Sequence, residues 1–224
     1  MTAPAASSAI AAQLIALFAV LMLVLQLLLV GQRMLLTSIR LFALQSLFLA
    51  GIAAVIAFFH GAFHVFVVAV LTVAGKVLFL PWLLDRQVRR MRIGQEIEPL
   101  LNFPTSMVVC AALTLFGYIL ARPFTALERL GNNTLAVAMA LVLTGIFLMF
   151  NRRKAITQVL AWLTVENGVM LAAVALTTYG MPLVVELGIF FDVIVAVMVL
   201  GILVYRIRDT FASMDTSKLR QLKG

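Results

Sequence analysis

The sequence predicts an all-α, polytopic membrane protein with about seven transmembrane helices, and three observations carry that prediction. Of 224 residues, 64% are hydrophobic and only 12% charged, with a mean hydropathy of +1.13, far from the composition of a water-soluble domain. The apolar residues come in runs near the roughly 20 residues that a helix needs to cross a bilayer. The Lys and Arg residues crowd into alternate breaks between those runs. Helices are the consistent class, because lipid offers no partner to open backbone and the chain lacks the alternating ten-residue segments of a membrane barrel.

The first run, 9–31, has 23 residues and no basic residue before it, which reads as a permanent span and not as a cleaved signal peptide. Further runs follow at about 41–59, 65–84, 104–121, 134–150, 155–178 and 182–205. The break between the first two is weakly polar, so the second helix could start near Arg33. Pro182 suits the first turn of the last run, where its missing N–H costs nothing. Spans this long leave no room for a sizeable soluble domain. The organisation is therefore one membrane domain: five helices within 1–151, a helix pair in 152–206 and a tail in 207–224. Phe211, Met214, Leu219 and Leu222 among the tail's charges suit a segment on a neighbouring subunit or at the headgroup level.

The net charge of +8 would suggest nucleic acid in a soluble chain, but here topology accounts for it. Fourteen of the 17 basic residues fall on one side, including Arg33, Arg40, Arg86, Arg89, Arg152, Arg153 and Lys154; Arg122 and Arg129 alone fall on the other. That asymmetry puts the N-terminus outside and the C-terminus in the cytoplasm, and it makes the lipid bilayer a partner and nucleic acid none. The single cysteine, Cys110, excludes an internal disulfide framework or a cysteine-held metal cluster.

Three ionisable residues fall in mid-span: Lys76, Glu166 and Asp192. A charge at that depth costs on the order of 3 kcal/mol or more unless paired or hydrated, so these side chains are expected to face the protein interior. Glu186 enters the last span about 9 Å from Asp192 along the axis. A carboxyl group in such a place can change protonation as neighbouring charge and water change, as a proton relay requires. Thr157, Gln158, Thr164 and Asn167 are the polar neighbours expected around Glu166. The alternative is a static ion pair, Lys76 with Asp192 or Lys76 with Glu166.

A weak internal repeat runs through the same residues. Laying Arg33 on Lys154 puts Gln45 on Glu166, each followed by a small-residue-rich apolar run and then by a helix with one mid-span polar residue, Lys76 or Asp192. His60 and His64 lie four apart and would share a face on one continuous helix, but Gly61 and the missing third ligand weaken a metal reading. No phosphate loop, nucleophile elbow or zinc-binding helix motif is present, so no active site lies in this chain. A retinal pump carries its lysine on the last helix, where this chain has Asp192. Gly51, Gly75, Gly168 and Gly188 read as close helix contacts.

At these residues the chain resembles known families. From about residue 152 onward, RRK, then VENG in mid-helix, then FFDVIVAVMVLGILVYRIR and a tail ending LKG resemble the smallest proton-channel subunit of respiratory complex I, the NuoK family. Over nearly its whole length, with ALQSLFLAGI, AGKVLFLP and VVELGIFFD, it is more similar to hydrogenase-4 component E (HyfE), a membrane subunit of complex-I-related [NiFe] hydrogenases. In the complex I subunit two mid-membrane glutamates form part of a lateral proton path; the resemblance implies Glu166 for the first and Asp192 for the second. The second acid is an aspartate here, the separation of 26 is shorter and four helices precede the matching part, so Lys76 gains no role from the complex I match.

The resemblance implies a non-catalytic, proton-conducting membrane subunit of a hydrogenase or related oxidoreductase in a bacterial cytoplasmic (inner) membrane. Its proton pathway would use Glu166, Asp192, Lys76 and Glu186, with Gln45, Asn167 and Thr164 in support. The nickel-iron site and iron–sulfur clusters would then sit in partner subunits, alongside antiporter-like and NuoH-like membrane subunits. The alternatives are a secondary cation/proton transporter, alone or in an antiporter assembly, and a purely structural membrane anchor.

Overall fold

The computed structural model describes residues 3–60, 63–91, 100–127 and 133–176. These form α1 (Ala3–Gly31), α2 (Leu35–His60), α3 (Phe63–Thr72), a π-helical segment (Val73–Phe79), α4 (Leu80–Met91), α5 (Phe103–Ala121), a 3₁₀ segment (Arg122–Leu127), α6 (Thr134–Asn151) and α7 (Ala155–Leu176). The protein is all-helical across the described residues, and six of its helical stretches are long and apolar enough to cross a membrane. They match the first six predicted runs; the seventh, 182–205, and the tail lie outside the described residues. The second span starts six residues before the predicted 41, at Leu35, because Arg40 is exposed at the helix surface and its charge does not end the helix.

The third span is not one regular helix. Its centre widens into seven π-helical residues with Lys76 in the middle, and the N–H of Leu80 reaches back to the carbonyl of Gly75. Pro81 supplies the physical cause: its ring lacks a donor and collides with the carbonyl four residues earlier, and the wider turn moves that carbonyl aside. A Cβ on Gly75 would meet nothing within 4 Å, so this glycine does not mark the close contact its sequence suggests. Gly168 does: a Cβ there would lie 2.9 Å from the backbone nitrogen of Val142, so α6 and α7 pack with their backbones nearly touching. Gly188 lies outside the described residues.

Two hairpins build the core, α1 with α2 and α6 with α7, and they lie side by side with α1 against α6 and α2 against α7. The third span packs on α2, and α5 covers α6 from the other flank. Buried apolar side chains form two main clusters. One, around Met22, Ile52, Leu141 and Leu171, fills one half of the bundle. The other, around Phe42, Leu84, Leu148 and Leu160, fills the half nearer the loops that carry Arg33 and Arg152. Between these clusters α1 carries Gln26, α2 carries Gln45 and Ser46, and α7 carries Thr164, Glu166 and Asn167.

Candidate functional site: a polar layer between two apolar halves

Gln26 on α1, Gln45 and Ser46 on α2, Lys76 on the π segment, and Thr164, Glu166 and Asn167 on α7 are all buried. Each polar atom at this depth must find a partner inside the protein, because the lipid supplies none. Lys76 Nζ lies 2.8 Å from Glu166 Oε1, with Lys76 2% and Glu166 5% exposed. The sequence left open whether Lys76 meets Glu166 or Asp192; the structure brings it to Glu166. Lys76 also donates to Asn167 Oδ1 at 3.4 Å.

From Asn167 the hydrogen bonds run on through α2 and α1. Asn167 Nδ2 donates to Gln45 Oε1 at 3.1 Å and to Ser46 Oγ at 3.0 Å. Gln45 Nε2 donates to Gln26 Oε1 at 3.1 Å and to the Met22 carbonyl at 3.2 Å. Gln26 Nε2 donates to Thr164 Oγ1 at 3.3 Å, and the Thr164 hydroxyl donates to the Ala161 carbonyl at 2.7 Å. Three of the supporting residues expected from the sequence, Gln45, Asn167 and Thr164, thus meet in one network around Glu166 and Lys76. The repeat gains a physical meaning too, since Gln45 and Ser46 touch Asn167, the neighbour of the residue that Gln45 aligns with.

One other expectation is corrected. Thr157 and Gln158 do not surround Glu166; they donate to the Lys154 and Arg152 carbonyls in the loop before α7, since eight or nine residues along a helix is about 13 Å. His60 is the last described residue of α2 and His64 lies in the first turn of α3. Asp192 and Glu186 lie outside the described residues. Gln26 and Ser46 are network members that the sequence reading did not single out. A glutamine alone in the apolar run from Leu14 to Val30 was the available signal for Gln26.

A second buried cation sits at the loop end of the bundle. Arg152, 3% exposed, donates through Nη2 to the carbonyls of Leu29, Val30 and Gln32 at 3.0, 3.1 and 2.8 Å. It caps the C-terminus of α1, whose last carbonyls have no partner within the helix. Beside it Asn151 accepts from the Leu101 N–H and donates to Ser106 Oγ, tying the start of α5 to the end of α6. Two further basic residues on this side lie at the surface: Arg89 pairs with Asp85 at 2.8 Å, and Arg86 stacks over the Trp82 ring.

The chain is 36% identical over 198 residues to the uncharacterized protein Rv0085 of Mycobacterium tuberculosis, covering 88% of this chain and 90% of that one. It is 31% identical over 186 residues to hydrogenase-4 component E of Escherichia coli K12, covering 82% of this chain and 85% of that one, and equally to the Shigella flexneri protein of the same name. No protein-family model matches the chain, and no solved structure does.

Proposed function

Because the chain belongs to the hydrogenase-4 component E family, we propose that it is a non-catalytic membrane subunit of a hydrogenase complex, whose Glu166–Lys76 pair takes up and releases a proton inside the bilayer. The observation that carries this reading is an ion pair 2.8 Å long at mid-span, set among amides and hydroxyls from α1, α2 and α7. A pair kept only as glue is weakly favoured, because apolar residues of the same volume hold helices together at less desolvation cost. A carboxyl group in a low-dielectric interior has its protonated form close by, and hydroxyl groups can hydrogen-bond to either form.

The two apolar clusters above and below the polar layer favour transfer within the membrane plane over a water path along its normal. In-plane transfer suits a subunit that hands protons to neighbouring membrane subunits. On the resemblance, Asp192 is the next acid in that direction, Glu186 lies beyond it, and redox chemistry at a nickel-iron site and iron–sulfur clusters belongs to partner subunits. A bacterial inner membrane, with antiporter-like and NuoH-like neighbours, completes the reading.

The test is proton translocation by the assembled complex in inverted membrane vesicles during hydrogen turnover. Glu166→Gln is expected to leave assembly and hydrogen turnover in place while lowering the protons moved per turnover by about tenfold, a typical loss for a required intramembrane acid. Unchanged translocation in Glu166→Gln would refute the reading.

A further inference from the structure

The hydrogen bonds of the polar layer all point the same way. Backbone carbonyls only accept, and two of them fix the ends: the Met22 carbonyl takes Gln45 Nε2, and the Ala161 carbonyl takes the Thr164 hydroxyl. Since Gln45 Nε2 is committed to Met22 and Gln26, its Oε1 must face Asn167. Asn167 Nδ2 is then committed to Gln45 and Ser46, and its Oδ1 is left for Lys76. The orientation of each amide therefore follows from its neighbour, with the carbonyl of a different helix as the reference.

We propose that Gln45, acting through Asn167, is a positioning residue that presents only an acceptor to Lys76 and so holds it as an ammonium, leaving Glu166 as the member of the pair whose charge changes. An ammonium offers three donors and accepts nothing, whereas a neutral amine can also accept. With Oδ1 toward it, the ammonium gains a second acceptor beside Glu166. Were the Asn167 amide reversed, Nδ2 would face Nζ, and the neutral amine would be the better partner. In a medium where the charged and neutral forms of a buried pair are closely balanced, the direction of one amide decides between them. Of the elements packed on the π segment, α2 brings the uncharged Gln45 and Ser46 to this layer, and the charged residues of α4 (Asp85, Arg86, Arg89 and Arg90) begin nine positions beyond Lys76. The ionisable group that the described residues bring to Lys76 is Glu166 on α7.

The use of this lock in proton transfer rests on the function proposed above, but the charge of Lys76 can be read without any turnover. The full-length chain, ¹⁵N-labelled at lysine and placed in lipid nanodiscs at neutral pH, gives a side-chain nitrogen resonance for Lys76, identified by its loss in Lys76→Met. The native protein is expected to show the ammonium form. Gln45→Met, close in shape but unable to orient Asn167, is expected to shift the ammonium-to-amine ratio about tenfold toward the amine. Gln26→Met removes an equally buried amide but leaves Gln45 on the Met22 carbonyl, and is expected to change the ratio less than about twofold. Asn167→Leu, which removes the acceptor itself, is expected to reproduce the Gln45→Met shift and serves if that variant does not accumulate. An unchanged ratio in Gln45→Met or in Asn167→Leu, or an equal shift in Gln26→Met, would overturn the proposal. If instead these shifts occur while Glu166→Gln still translocates protons, the lock stands and the function fails.

Discussion

Among the described residues two cations, Lys76 and Arg152, are buried to almost the same degree, and they donate to different kinds of acceptor. Arg152 donates to three backbone carbonyls, groups that cannot take a proton. Lys76 faces a carboxylate and an amide oxygen that belongs to a chain of reversible side-chain hydrogen bonds. Guanidinium does not give up its proton in a protein, and an amine does. The arginine contacts thus hold a helix end in place, while the lysine site includes a carboxyl group whose charge can change. What separates a structural buried charge from a functional one here is the chemistry of the partner, not the depth of burial.

Four substitutions break or sharpen this contrast. Lys76→Met leaves the Glu166 carboxylate buried without its ammonium and is expected to lower stability most, by about 3–5 kcal/mol, read as loss of the folded protein on heating in detergent. Adding Glu166→Gln to it should restore most of that loss, since the uncompensated charge goes. Arg152→Met is expected to cost about 2–3 kcal/mol, because the Leu29, Val30 and Gln32 carbonyls lose the guanidinium as a donor. Gly117→Val, which lies away from both cations, would drive a Cβ to 2.8 Å from the backbone nitrogen of Ala140 and should cost about 1–3 kcal/mol by pushing α5 from α6, with no effect on the Lys76 resonance. Asp85→Asn removes an exposed pair with Arg89 and should change the melting temperature hardly at all, within about 0.5 kcal/mol.

Much of the fold was legible because the bilayer writes it into the sequence: 20-residue apolar runs give the six described spans to within a few residues. The π segment was not legible as such. Pro81 announces a distortion, but only the packing of the span shows that the backbone widens around Lys76 and not at another turn. At the site, composition and depth pointed to Glu166 and Lys76 separately. Their pairing was out of reach of the sequence, since 90 residues and three helices intervene and nothing local sets which acid the lysine meets. Thr157 and Gln158 misled for the complementary reason: they are near Glu166 in sequence and more than two helical turns away in space. The repeat, faint as a string of letters, brought Gln45 into view, and the structure sets Gln45 against Asn167, the neighbour of Glu166.

Infrared difference spectroscopy on the assembled complex during hydrogen turnover bears most directly on whether Glu166 changes charge in its pair with Lys76. A protonated-carboxyl band that rises and falls with turnover in the native complex, and is missing in Glu166→Gln, is the predicted result. A native spectrum in which that band stays flat through turnover, or one that Glu166→Gln leaves untouched, would mean that the pair is a fixed salt link like the cap at Arg152.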